Sequence, residues 1–148
     1  MTISGIAFDC CWLIELDSKK FAEKYAAMQL ADRMVKNKIS LLMDHEGHLH
    51  REYSRYMPGM VTGKAILEML TQKCVRYVSG KPKSECATSL TTNGFDPSDI
   101  PYVGTAQNGL GVLITSEEKH LNPERCALIA DKCNVLIIGS EGVPGLLS

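Results

Sequence analysis

Four strand-length apolar runs punctuate the chain: 3–8, 39–43, 111–115 and 134–138. Each is bounded by polar or turn-forming residues, the pattern of a strand buried on both faces. Cys11 to Ile14 either extends the first run or begins the next helix. Asp17-Ser18 reads as an N-cap for a helix over 19–36, where Phe21, Tyr25, Met28, Ala31 or Asp32, and Val35 recur at helical spacing, so one face is apolar. Asn37 is its expected stop. Asp44-His-Glu-Gly47 is turn-like, and 49–56 reads as a short strand turning into a helix before Pro58-Gly59 breaks it. Thr62 is the expected cap of a helix reaching Val78, with Ala65, Ile66, Met69, Leu70, Cys74 and Val78 on one stripe. The stretch 79–92, with Gly80, Pro82 and many Ser and Thr residues, predicts a loop and the most mobile segment.

Further along, Asp96-Pro97-Ser98-Asp99 has the form of a helix start: Asp96 as cap, Pro97 in the first turn, Asp99 three residues after the cap. That helix carries Val103, Ala106 and Gln107 and ends at Asn108-Gly109. Asn122-Pro123-Glu124 starts another helix, running to about Lys132, and residues 139–148 form a tail. Strands alternating with helices predict a single α/β domain over 1–148. Its central sheet is mainly parallel, of four or five strands, with helices on both faces.

Composition narrows the class. A chain of 148 residues, 45% hydrophobic and 22% charged, can bury a core without staples. No apolar run approaches the length that crosses a bilayer, and no basic, apolar, small-residue leader opens the chain. The expectation is a cytoplasmic protein with no membrane partner. The net charge of −1 gives the domain no general pull on nucleic acid, so phosphate binding rests on local groups. Arg51 and Arg55, one turn apart if helical, and Lys64 are the candidates for that role. The six cysteines show no CxxC pair and read as small buried residues rather than a zinc site or a disulfide framework. His45, His48 and His50 flank a turn and lack the cysteine partners of a zinc site.

The acids carry the candidate chemistry. Asp9 ends the first apolar run, where α/β sheets place their ligands, and an acid buried there is costly without a partner. Glu52, Asp96, Asp99, Glu117 and Glu118 follow at the edges of predicted elements. Some of these have simpler readings. Asp96 caps a helix, Asp99 completes a capping box, and Asp44 shapes the turn after its strand.

Three segments resemble the PIN domain, the α/β fold of metal-dependent ribonucleases that include toxins of toxin–antitoxin pairs. They are Ile6-Ala-Phe-Asp9, the stretch from Met43 through Glu52 to Tyr53, and Asp96-Pro-Ser-Asp99-Ile-Pro-Tyr-Val103. The run Val112-Leu-Ile-Thr115-Ser-Glu117 adds a fourth. The resemblance implies a carboxylate site for Mg²⁺ or Mn²⁺ built from Asp9, Glu52, Asp99 and Glu117, with Asp9, Asp99 and Glu117 on the metal. Thr115, Glu118 and Asp96 would support it. Such a site suits hard cations, which prefer oxygen ligands. The family's fourth acid is usually Asp in a Thr-x-Asp triplet, whereas this chain has Thr115-Ser116-Glu117, a departure that makes Glu118 an alternative. The implied activity is endoribonucleolytic hydrolysis, with RNA as substrate and DNA as the variant. The implied partners are an inhibitory or regulatory protein and a second copy of the chain. A module that binds RNA or protein without cutting is the competing reading. A dehalogenase-type phosphotransferase is disfavoured because Cys10-Cys11 follows Asp9 where a second Asp is needed, and no GxGxxG marks a dinucleotide site.

Overall fold

The computed structural model describes residues 3–146. Five strands form one sheet: β1 (Gly5–Phe8), β2 (Ser40–Asp44), β3 (Val75–Val78), β4 (Val112–Ile114) and β5 (Leu136–Ile138). The order is β3-β2-β1-β4-β5 and every pairing is parallel. Central β1 and β4 are wholly buried, which is why their sequences run apolar without alternation. The predicted α/β class and mainly parallel sheet are what the chain forms.

Among the described residues eight helices make the crossovers: α1 (Cys10–Glu15), α2 (Phe21–Asn37), α3 (His48–Tyr56), α4 (Thr62–Cys74), α5 (Ser84–Thr92), α6 (Ile100–Asn108), α7 (Glu118–Leu121) and α8 (Pro123–Cys133). The crossovers from β1 to β2 to β3, right-handed as parallel connections generally are, put α2 and α4 against each other on one face. The jump from β3 to β4 reverses direction and carries α5, α6 and α8 to the other. Ile6, Phe8, Leu41, Leu42, Leu113 and Ile114 fill the layer between, each almost wholly buried. Gly104 lets α6 press against the 80–82 loop, because a Cβ there would stand 2.0 Å from the carbonyl oxygen of Gly80.

Several expectations are corrected. The helix predicted to reach Val78 stops at Cys74, and Val75-Arg-Tyr-Val78 joins β2 as the fifth, edge strand. The stretch 79–92 is not all loop: α5 occupies its second half, with Cys86 and Leu90 buried. Residues 48–56 are helix throughout. Asp17 does not cap α2. Its carboxylate accepts from the amides of Val61 and Thr62 at 2.8 Å each, so it opens α4 instead and Thr62 does not. The inward face of α2 is Ala27, Leu30, Ala31 and Met34, while Phe21, Tyr25 and Met28 stand in solvent, Phe21 78% exposed. The cysteines are not all reduced. Cys86 of α5 and Cys133 of α8 form a disulfide, their Cα atoms 4.8 Å apart where the two helices pack. Residues 147 and 148 of the expected tail lie outside the described residues; what precedes them holds a 3-10 turn, Ser140–Gly142.

Candidate functional site

The strand order reverses at β1: its own crossover leads to β2, while β4 arrives from the far edge to lie on its other side. The crevice outside the carboxyl ends of β1 and β4 is therefore the switch point, where open α/β sheets bind ligands. Asp9 leaves β1 at this point and Thr115 leaves β4 beside it. The Thr115 hydroxyl donates to Asp9 Oδ2 at 2.9 Å, and the Cys11 amide donates to Oδ1 at 3.4 Å as Asp9 caps α1. Asp9 is only 6% exposed. Burial raises its pKa above the ordinary carboxylate value against the pull of those hydrogen bonds, and the charge of Asp99 adds to the rise. A buried acid facing a second acid has an unmet demand for positive charge.

Asp99 occupies the N-cap position of α6 but makes no side-chain cap bond, and Pro101 takes the first turn. Its expected place inside a capping box is thus not realised. Its Oδ2 accepts from Nε2 of His120 at 3.0 Å, with Lys119 Nζ at 3.9 Å. Asp96 does not cap α6 as expected, because the helix begins at Ile100 with Asp99 in the cap position; it shapes the preceding turn instead, taking the Ser98 amide and hydroxyl at 2.9 Å, and stands in solvent. Asp44 does have its simpler role, accepting from the amides of His48 and Leu49 at the start of α3.

Glu52 lies on α3, with Oε1 3.8 Å from His48 Nε2. The Cys10 thiol donates to its carbonyl at 3.8 Å, and burial together with the Glu52 and Asp9 charges pushes that thiol up to about 12. The Glu52 and Asp9 carboxylates therefore border the same buried patch. Glu117 is linked more loosely: its amide donates to the Thr115 hydroxyl at 3.1 Å, but its carboxylate enters no hydrogen bond or ion pair among the described residues. Glu118 opens α7 as an exposed side chain. Of the expected site, Asp9 and Thr115 are brought into contact, the Asp99 charge acts on Asp9 without touching it, Glu52 borders them, Glu117 stands at the rim, and Asp96 and Glu118 are exposed. Among the described residues no three His, Cys, Asp or Glu side chains cluster closely enough to enclose an ion alone.

Four contributors were not expected from the sequence. Tyr53 donates its hydroxyl to the Phe8 carbonyl, clamping α3 to the end of β1. Tyr102, one turn beyond Asp99 on α6, is buried with its hydroxyl unpartnered; burial and the nearby Tyr53, Asp9, Cys10 and Glu52 groups raise its pKa. His120 and Lys119 reach Asp99 from α7. A Tyr three residues after an acid at a helix start was legible as a same-face neighbour. The histidine carried no such signal, because its contact depends on two distant segments meeting.

The basic candidates lie along the neighbouring helices. Arg51 and Arg55 are exposed on α3, Arg51 donating to the Glu46 carbonyl at 3.1 Å and Arg55 resting 5.2 Å from the centre of the Tyr56 ring. Lys64 of α4 lines a cleft of about 430 Å³ shared with His50, Ser54 and Tyr77. His45, His48 and His50 do not converge: His48 meets the Ser98 carbonyl, and His45 stacks near Tyr77.

No helix among the described residues is long and apolar enough to cross a membrane. No protein-family model, curated protein or solved structure matches this chain.

Proposed function

We propose that the chain is a divalent-cation-dependent phosphodiesterase, specifically an endoribonuclease using Mg²⁺ or Mn²⁺. The observation that carries this reading is Asp9, buried at the switch point, oriented by Thr115 and facing the charge of Asp99. Mg²⁺ commonly binds through one or two carboxylates and keeps several waters, a role Asp9 and Asp99 would fill. The orphaned Tyr102 hydroxyl is a donor available to such a water or to a phosphate oxygen.

When bound, the ion would acidify a water and neutralise charge on the scissile phosphate. The chain's own groups do the rest. Asp9 and Asp99 would hold the ion, Thr115 fixes the Asp9 carboxylate, and Glu117 at the rim would offer a free carboxylate to take a proton from water. Glu52 adds negative potential behind Asp9. Arg51, Arg55 and Lys64 would bind the RNA backbone. The toxin-type PIN resemblance and a regulatory protein partner belong to the same proposal.

A second reading, a module that binds RNA or protein without cutting, is favoured by one observation: Glu117 is not locked against Asp9 or Asp99. Labelled RNA and DNA, incubated with Mg²⁺, Mn²⁺ or EDTA, separate the two. Cleavage that EDTA stops and that Asp9→Asn and Glu117→Gln reduce by 10²-fold or more supports the nuclease. Undiminished cleavage by Asp9→Asn defeats it, and RNA retention without cleavage selects the module. A cytoplasmic home, expected from the sequence, requires the Cys86–Cys133 bridge to withstand the reducing pool of that compartment.

A further inference from the structure

His120 is a histidine that packing alone does not account for. It is 1% exposed, yet Nδ1 has no hydrogen-bond partner, and a buried bare polar atom costs about 1–3 kcal/mol. A leucine in its place would carry no such penalty. Its other nitrogen, Nε2, lies 3.0 Å from Asp99 Oδ2. An ionised carboxylate only accepts, so Nε2 carries the proton and donates.

The ring is held on one face, and the backbone around it is tied down. It stacks on Phe95 with centroids 4.5 Å apart and planes within 8° of parallel, and the Arg125 guanidinium covers the Phe95 ring at 4.6 Å. The His120 amide donates to the Glu117 carbonyl at 3.0 Å, and the Cys126 thiol donates to the His120 carbonyl at 3.2 Å. The short segment that ends with this histidine begins with Thr115, which orients Asp9. One stretch following β4 thus grips both acids, Asp9 through Thr115 and Asp99 through His120. Asp99 Oδ1 makes no hydrogen bond among the described residues and remains available to a ligand.

We infer that His120 is a positioning residue whose donated hydrogen bond fixes the Asp99 carboxylate for cation binding. The inference rests on the phosphodiesterase reading. Hydrogen bonds to a ligating carboxylate typically change metal affinity 10–100-fold when removed. The side-chain amide of glutamine matches the reach of imidazole Nε2, whereas asparagine is one carbon shorter and leucine cannot donate.

The test is Mn²⁺ affinity of the intact chain, measured by electron paramagnetic resonance of free Mn²⁺, on wild type, Asp9→Asn, His120→Leu, His120→Asn and His120→Gln. The expected result is a loss of about tenfold or more for His120→Leu and His120→Asn, with His120→Gln within about threefold of wild type. A role confined to packing predicts the opposite order, because leucine fills the apolar slot best. Thermal melts without metal identify a variant that fails to fold, and the asparagine and glutamine pair then carries the comparison. If wild type binds Mn²⁺, Asp9→Asn does not, and the His120 variants all bind as wild type does, the positioning role is overturned while the site stands. If wild type binds no Mn²⁺, the site itself falls, and the positioning role with it.

Discussion

The Thr115 hydroxyl donates to Asp9 Oδ2 at 2.9 Å, joining two residues 106 positions apart across the carboxyl ends of β1 and β4. Both follow buried parallel strands in register, Phe8 beside Ile114, so the bond is set by the sheet rather than by either side chain. The same hydroxyl accepts from the Glu117 amide, which ties the turn after β4 to the acid after β1. Loss of this contact would free Asp9 to turn while leaving the sheet unchanged.

Asp9 should cost the protein stability in the absence of a cation. Burial first, and the Asp99 charge last, raise its folded pKa above the unfolded value near 3.8. Between the unfolded and folded values the native state holds more protons than the unfolded one, so stability falls as pH rises through that window and stays lower above it. Asp9→Asn keeps an acceptor for Thr115 and removes the charge. Thermal melts without divalent ions should show the variant more stable at pH 7, with the gain vanishing below pH 3.8. Mg²⁺ or Mn²⁺ should raise the wild-type midpoint and leave the variant's unmoved. A variant less stable than wild type at pH 7 would show that the ionised carboxylate is already compensated within the chain.

Helix α2 gives a second outcome that can be measured. Its sequence offers two overlapping stripes, Phe21-Tyr25-Met28 and Ala27-Leu30-Ala31-Met34, and the bulkier one is outside. Phe21→Ser should change stability by less than about 0.5 kcal/mol, as exposed substitutions do. Leu30→Ala should cost about 2–5 kcal/mol as a core truncation. Chemical denaturation of the two variants checks both, and the reverse ranking would put the larger stripe in the core.

These helices show which parts of the fold the residues announce. Central strands were legible because burial on both faces leaves unbroken apolar runs such as Ile6-Ala-Phe8 and Val112-Leu-Ile114. The edge strand was not: Val75-Arg-Tyr-Val78 is half-buried, follows a helix without a break, and takes its strand conformation from β2. The α2 face was misread in its first half, where Phe21, Tyr25 and Met28 are exposed although Ala31 and Val35 turn inward, because periodicity reports that a stripe exists and not which part of it will be covered. In the site, Asp9 was legible from its position at a strand end. Asp99 was found for its place in the chain, whereas its partner His120 was invisible, since their contact exists only once α6 and α7 meet. Asp17 shows the same limit: a good cap by local sequence, it caps a helix 45 residues away.

The Cys86–Cys133 bridge is the third test. It closes a separation of 47 residues and fastens α5 to α8 on the face that carries α6 and Asp99. Cross-linking a loop of that length removes unfolded-state freedom worth roughly 4 kcal/mol in the chain-entropy account, with about 2–5 kcal/mol typical of native bridges. Cys86→Ala/Cys133→Ala together should therefore lower the unfolding free energy by about 2–4 kcal/mol, and strong reductant should destabilise wild type but not the double variant. Thiol titration after denaturation without reductant should count the four remaining cysteines, Cys10, Cys11, Cys74 and Cys126. Six reactive thiols would mean that the two sulfurs pack side by side unbonded. In that case, the stability of the α5–α8 pair must come from Leu90, Ile129 and their apolar neighbours alone.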